Sequence, residues 1–147
     1  KAPFFLSREA FLDMRQRGWG RIINVSSVSQ KYGGPRSLHY SASKAALDAL
    51  TVGLAKEGAQ YNILVNSIRC GLIETGMTEG VFTAARAKGT EHRIGQINPT
   101  ARYGQPTEIA AMACFLLSDA ASYVNGQAIA VDGGLSASHP WVFPRTG

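Results

Sequence analysis

Gly20-Arg-Ile-Ile-Asn-Val-Ser-Ser27 and, thirteen residues beyond Ser27, Tyr40-Ser-Ala-Ser-Lys44 decide how the rest of the chain reads. The first stretch carries a short β-branched run, Arg21 to Ser26, that reads as a buried strand. Ahead of it, Pro3 to Arg17 predicts a helix. Phe4, Phe5, Leu6, Phe11, Leu12 and Met14 give that helix a broad apolar face, and Gly18 and Gly20 stop it. After it, Ser29 to Ser37 contains Gly33, Gly34 and Pro35 and reads as a loop. An alanine-rich helix follows from Tyr40 to about Gln60, with Leu47, Leu50 and Leu54 spaced by three and four. Working outward, Ile63 to Ile68 is a second strand, Val81 to Lys88 a short helix, Pro106 to Leu117 another helix, and Gln127 to Val131 a third strand turned by Asp132-Gly-Gly134. Strands that alternate with helices imply right-handed crossovers and a parallel sheet, hence an α/β fold.

Composition agrees with a core-forming chain. The 147 residues are 45% apolar and 17% charged, far from the balance of a disordered segment. Two cysteines, Cys70 and Cys114, cannot build a disulfide framework and lack zinc-site spacing, so no metal is expected. No apolar run approaches a membrane span and no basic-then-apolar leader opens the chain, so a cytoplasmic protein with no membrane partner is expected. The net charge of +5 is spread out. Its nearest cluster, Arg15, Arg17 and Arg21, reads as a solvated helix end, and no nucleic-acid module is present.

The chemistry starts from Tyr40 and Lys44. Four residues apart on a helix, they share one face a turn apart. A free tyrosine has a pKa near 10, and a neighbouring ammonium favours the phenolate and lowers it. Such a pair can shuttle a proton at a carbonyl or alcohol oxygen. Ser27 follows a parallel strand, at the carboxyl end where open α/β sheets bind ligands, and the loop between can fold it back beside Tyr40. Turn capping is the competing role for Ser27, and Ser26 and Ser29 compete with it.

With these residues in place, the chain resembles the C-terminal portion of the classical short-chain dehydrogenases/reductases, with a 3-oxoacyl-carrier-protein-reductase-like sequence. The resemblance runs from about Pro3 to Gly134. It rests on the two opening segments and on Val65-Asn66, Gly71-Leu-Ile-Glu-Thr75, Arg102-Tyr-Gly-Gln-Pro-Thr-Glu-Ile-Ala110 and Asn125-Gly-Gln-Ala-Ile-Ala-Val-Asp-Gly-Gly134, in the family's order. It implies a doubly wound, Rossmann-like parallel sheet, and hydride transfer between NAD or NADP and a ketone or secondary alcohol. Tyr40 would be the acid/base, Lys44 would lower its pKa and bond the nicotinamide ribose, and Ser27 would orient the carbonyl. Gly71, Ile73 and Thr75 would join Tyr40 and Lys44 in binding the cofactor. A homo-oligomer, tetramer or dimer, is implied as well.

Three features depart from the family. Cys70-Gly71 stands where proline-glycine is usual, so the backbone constraint of proline is lost and a thiol is placed near the nicotinamide site. The family's asparagine on the preceding helix falls upstream of Lys1, and Asn24 cannot stand in for it. No glycine-rich dinucleotide fingerprint is present, because Gly18-x-Gly20 follows a helix and lacks the last glycine. The chain is therefore expected to be one partial domain, residues 1–147, without the first βαβ unit and without the residue that separates NAD from NADP.

Residues 76–103 are expected to lid the substrate, with Met77, Val81, Phe82 and Ile94 offering apolar contact. Arg86, Lys88, Glu91 and Arg93 read as a solvated mobile face. Ser29, Gln30, Tyr32, Arg36 and His39 flank the catalytic loop, and Ser29, Gln30, His39, Met77 and Phe82 are the substrate-pocket candidates. Trp141 and Phe143 in the 135–147 tail are placed to close a pocket or meet a second subunit. Two other readings compete. One is a non-catalytic assembly chain using Phe4, Phe11 and Leu47. The other is a sugar-nucleotide dehydratase or epimerase, although the motifs after Lys44 suit the classical branch better. The enoyl-reductase branch, with its wider Tyr–Lys spacing, fits poorly.

Overall fold

The β-branched run does form a strand, β1 (Gly20–Ser27), and it pairs in parallel with β2 (Ile63–Cys70) from Gly20↔Ile63 to Ser27↔Cys70. The last strand, β3 (Ala128–Val131), joins the far side of β2, again in parallel, giving the order β1-β2-β3. This computed structural model describes residues 1–33 and 37–137. Arg36, Trp141 and Phe143 lie outside the described residues.

Helices cover both faces of the sheet, as buried parallel strands require. Helix α1 (Ala2–Arg17) precedes β1, α2 (Ser29–Tyr32) follows it, and α3 (Leu38–Gly58) leads into β2. Helices α4 (Glu79–Ala87) and α5 (Pro106–Leu117) lie between β2 and β3. The four-residue α2 is a departure from the loop expected over Ser29–Ser37. One turn is too short to write a 3.6-residue period into a sequence.

The two-residue alternation of β2 splits the core. Ile63 and Val65 face α1 and α3, where they pack with Phe11, Ala55 and Leu54. Ile68 faces α5 and packs with Leu116, Ala121 and Met112. The polar positions of the strands are paired across the same interfaces. Asn24 Nδ2 donates to Thr51 Oγ1 at 2.9 Å, and Ser67 Oγ donates to Asp48 Oδ1 at 2.7 Å. Asn24 thus has a packing role inside the sheet–α3 seam.

The broad apolar face expected of α1 is only partly buried. Phe11 is in the core, whereas Phe4, Phe5 and Leu6 are 53%, 52% and 71% exposed. Of the residues weighed for assembly, Phe11 and Leu47 are buried within the chain, so only Phe4 remains on the surface. Gly18 closes α1 with φ of 66°, the left-handed conformation in which a side chain would be strained. The arginines nearby are not one solvated end. Arg17 pairs with Asp13 at 2.6 Å, and Arg15 lies 4.7 Å from the Tyr61 ring centre. Arg21 is buried, donates to the Gly20 and Asn62 carbonyls, and sits over Trp19.

Candidate active site

The carboxyl ends of β1 and β2 open into a cavity of about 350 Å³ whose wall includes Ser27, Tyr40, Lys44, Cys70, Ile73 and Thr75. Three elements supply the chemistry. Ser27 is the last residue of β1. Tyr40 lies in the first turn of α3 and Lys44 one turn further on, so the two side chains rise on the same face. Lys44 Nζ donates to the carbonyl of Val25 at 2.7 Å and stands 5.5 Å from the Tyr40 ring centre. That bond ties the helix-borne ammonium to the strand that carries Ser27. It uses one of three ammonium protons.

The serines beside one another divide their work. Ser26 is buried, and its hydroxyl donates to the Lys44 carbonyl at 3.2 Å, so it fastens α3 to β1. Ser27 Oγ instead accepts the backbone N–H of Ser29 at 3.2 Å. Accepting that N–H leaves the Ser27 hydroxyl its own proton to donate.

Gly71 and Ile73 follow β2. Gly71 N–H donates to the Val131 carbonyl at 3.0 Å, and a Cβ at Gly71 would lie 2.6 Å from Asp132 Cα, so the end of β2 and the turn after β3 approach as closely as only glycine permits. Ile73 is buried and bridges to Gly104. Thr75 lies at the exposed rim, its N–H donating to Thr78 Oγ1 at 2.9 Å, while Thr78 donates to the Ile73 carbonyl at 2.7 Å. Cys70 lines the cavity as well. Burial pushes its thiol up, and the Lys44 charge opposes that in smaller measure.

The substrate-pocket candidates separate. Met77 lines the cavity and is 86% exposed. Phe82 is only 1% exposed and packs edge-on against Tyr103, with ring centres 4.7 Å apart, away from the cavity wall. Ser29, Gln30 and His39 are not on that wall either; Ser29 and Gln30 lie on α2, and His39 is exposed at the start of α3. Within 76–103 the charges stay solvent-accessible but are not all unpaired. Arg86 bonds both Glu91 and Glu74, and Tyr103 donates to Glu91 at 3.2 Å. The Arg86 guanidinium, then Gln105, hold the Glu74 carboxyl below its usual range. Sequence reasoning missed these pairs, and it missed Val25 as a wall residue whose carbonyl accepts from Lys44, whereas it did place the Cys70 thiol near this site. A backbone carbonyl such as that of Val25 leaves no trace in a sequence.

A parallel α/β sheet with a cavity at the carboxyl ends of its strands has the ligand-binding arrangement of open α/β folds. A family profile described as enoyl-(acyl carrier protein) reductase matches residues 1–136. The chain belongs to the short-chain dehydrogenase/reductase family, a family of oxidoreductases with a Rossmann-like fold. It is 42% identical over 135 residues to a 3-oxoacyl-(acyl-carrier-protein) reductase of Rickettsia felis, covering 92% of this chain and 54% of the relative. It is 47% identical to the same-named reductase of Thermotoga maritima, covering 83% of this chain and 47% of that protein. Among solved structures, a gluconate 5-dehydrogenase from Burkholderia cenocepacia, in complex with NADP and tartrate, matches with a TM-score of 0.79 and 35% identity over 86% of this chain and 49% of that one. The chain spans about half the length of the curated relatives it matches. Despite the wording of that profile, these relatives are named for 3-oxoacyl reduction, and the four-residue Tyr40–Lys44 spacing stands in this sequence.

Proposed function

We propose that this chain carries the catalytic half of a nicotinamide-dependent dehydrogenase/reductase that interconverts a ketone and a secondary alcohol. The carrying observation is that Ser27, Tyr40 and Lys44, from two different elements, share one cavity. The wall suits the nicotinamide end of NAD or NADP. Val25, Cys70, Ile73 and Ile109 offer apolar surface for a flat ring, and Lys44 and Thr75 offer donors for its polar groups. Tyr40, Lys44, Gly71, Ile73 and Thr75 would hold that end. When bound, the nicotinamide supplies the hydride in reduction and accepts it in oxidation.

The residues of the chain handle the oxygen. As hydride reaches the carbonyl carbon, negative charge grows on oxygen, and donors placed there act on the transition state more than on the ground state. Ser27, its oxygen engaged by the Ser29 N–H, directs its own proton to that oxygen. Tyr40 delivers the proton that completes the alcohol, and the Lys44 ammonium stabilises the phenolate left behind. In the oxidative direction the same atoms work in reverse. Residues 76–103, through Met77, close the substrate side.

The test is Tyr40→Phe in the full-length protein, assayed with NADPH or NADH and acetoacetyl-CoA as the ketone. Removing a positioned general acid lowers kcat by roughly 10²–10⁴-fold. Cofactor binding, followed by nicotinamide fluorescence, is expected to persist. Undiminished reduction by Tyr40→Phe would sink the proposal.

A further inference from the structure

Helix α2 is the element that directs the Ser29 N–H at Ser27, yet none of its residues is buried. Its entry is anchored by Val28, which is buried and donates its N–H to the Cys70 carbonyl at 3.1 Å, and polar side-chain contacts hold its own four residues. On one flank, Lys31 Nζ donates to the Ser136 carbonyl at 2.6 Å and Tyr32 donates to the Leu135 carbonyl. On the other flank stands Arg69 of β2. Arg69 Nε donates to Asp48 Oδ2 on α3 at 2.8 Å. With its amide oxygen turned toward the guanidinium, Gln30 of α2 accepts from Arg69 Nη2 at 3.2 Å, and it lies 2.9 Å from Nε, whose one proton is engaged by Asp48. Asp48 is itself fixed, because it is buried and its other oxygen accepts from Ser67 at 2.7 Å.

We propose that Arg69, clamped by Asp48, is a positioning residue for Ser27: it holds Gln30, and through Gln30 it holds α2, so that the Ser29 N–H stays directed at the Ser27 oxygen. The inference rests on the catalytic role proposed for Ser27. Its geometry follows from side-chain alternation. Asp48 sits one turn beyond Lys44 on α3, on the face that meets the sheet, and Arg69 shares with Ser67 the side of β2 that faces α3. A planar guanidinium with several fixed donors can serve a carboxylate and an amide together, which an ammonium does less well. Gln30 acts here without touching substrate, in place of the direct contact expected of it.

The experiment compares Arg69→Met, Gln30→Leu and the double variant in the full-length protein, at saturating NADPH with acetoacetyl-CoA as the probe. Loosening a donor near the reacting oxygen is expected to lower kcat on the order of tenfold in each single variant. NADPH affinity stays as it was, and amides 29–32 exchange their hydrogens faster. The double variant is expected to be no slower than Arg69→Met, because both changes break one linkage. Additive losses, a raised KM for the ketone at unchanged kcat, or unaltered exchange at 29–32 would each overturn the proposal. If Arg69→Met does not fold, Gln30→Leu alone decides through exchange and kcat. If Tyr40→Phe retains activity, the catalytic reading falls separately, and amide exchange still reports whether Arg69 holds α2.

Discussion

Cys70 lines the cavity, and the structure gives its thiol a definite character. Burial pushes it up, against the smaller opposing effect of the Lys44 charge. A raised thiol holds less thiolate at neutral pH, and the thiolate is the reactive form. Cys114 is exposed on α5. Iodoacetamide at pH 7.5 is therefore expected to label Cys114 well before Cys70, followed by peptide mass spectrometry of the full-length protein. Equal rates would mean that Lys44 outweighs burial. At this scale the sequence was legible where chemistry depends on spacing: Tyr40 and Lys44 share a helix, so four residues fix their relation. It was silent where partners are distant. Asn24 meets Thr51 across 27 residues and Asp48 meets Arg69 across 21, and neither half of such a pair announces the other.

Helix α5 shows how an element boundary can be written in sequence and still hold an unread consequence. Pro106 opens it, as the sequence marked, and the Glu108 carboxylate accepts the Gln105 N–H at 2.8 Å in a capping box. Arg102 adds two bonds to the Glu108 carboxylate, at 2.8 and 2.6 Å. The Arg102 bond first, and the Gln105 N–H second, hold the Glu108 carboxyl down at about 2. A carboxyl more acidic in the folded than in the unfolded chain adds stability above its ordinary value of 4.5 and loses it as the pH falls towards 2. The pair is exposed, so the effect is modest and weakens with salt. In urea titrations of the full-length protein, Glu108→Gln is expected to be less stable than the parent at pH 7, with the gap closing between pH 4.5 and 2. A gap that stays constant over that range would exclude the ion pair as its source. The longer elements were legible because α3 and α5 span several turns of periodic apolar spacing. The one-turn α2, and the pinning of 76–103 by Phe82, Arg86 and Tyr103, were not, because they rest on contacts between segments and not on any local repeat.

Across the whole molecule, the same sheet that positions the site leaves one side open. Among the described residues β1 pairs only with β2, so every second residue of β1 directs its backbone donor and acceptor at the open sheet edge. Val25 on that strand is 53% exposed, and Phe4, Phe5 and Leu6 on the adjoining helix are more than half exposed. An open parallel edge beside apolar surface is a template for further pairing. The glycines fall at turns such as Gly18 and Gly133-Gly134 and at the close approach of Gly71, not in a loop that cradles a pyrophosphate. The cavity therefore offers the nicotinamide end a wall, while nothing among the described residues resembles a dinucleotide phosphate loop. Both features predict the behaviour of the 147-residue chain expressed by itself. It should self-associate, eluting as high-mass species in size-exclusion chromatography with light scattering. It should also show only weak NADPH binding by nicotinamide fluorescence, because ring contacts alone forgo the charge-assisted bonds to phosphate. A monodisperse monomer with micromolar affinity would show that β1 is covered and the phosphates are held by means that the sheet order and cavity wall do not reveal.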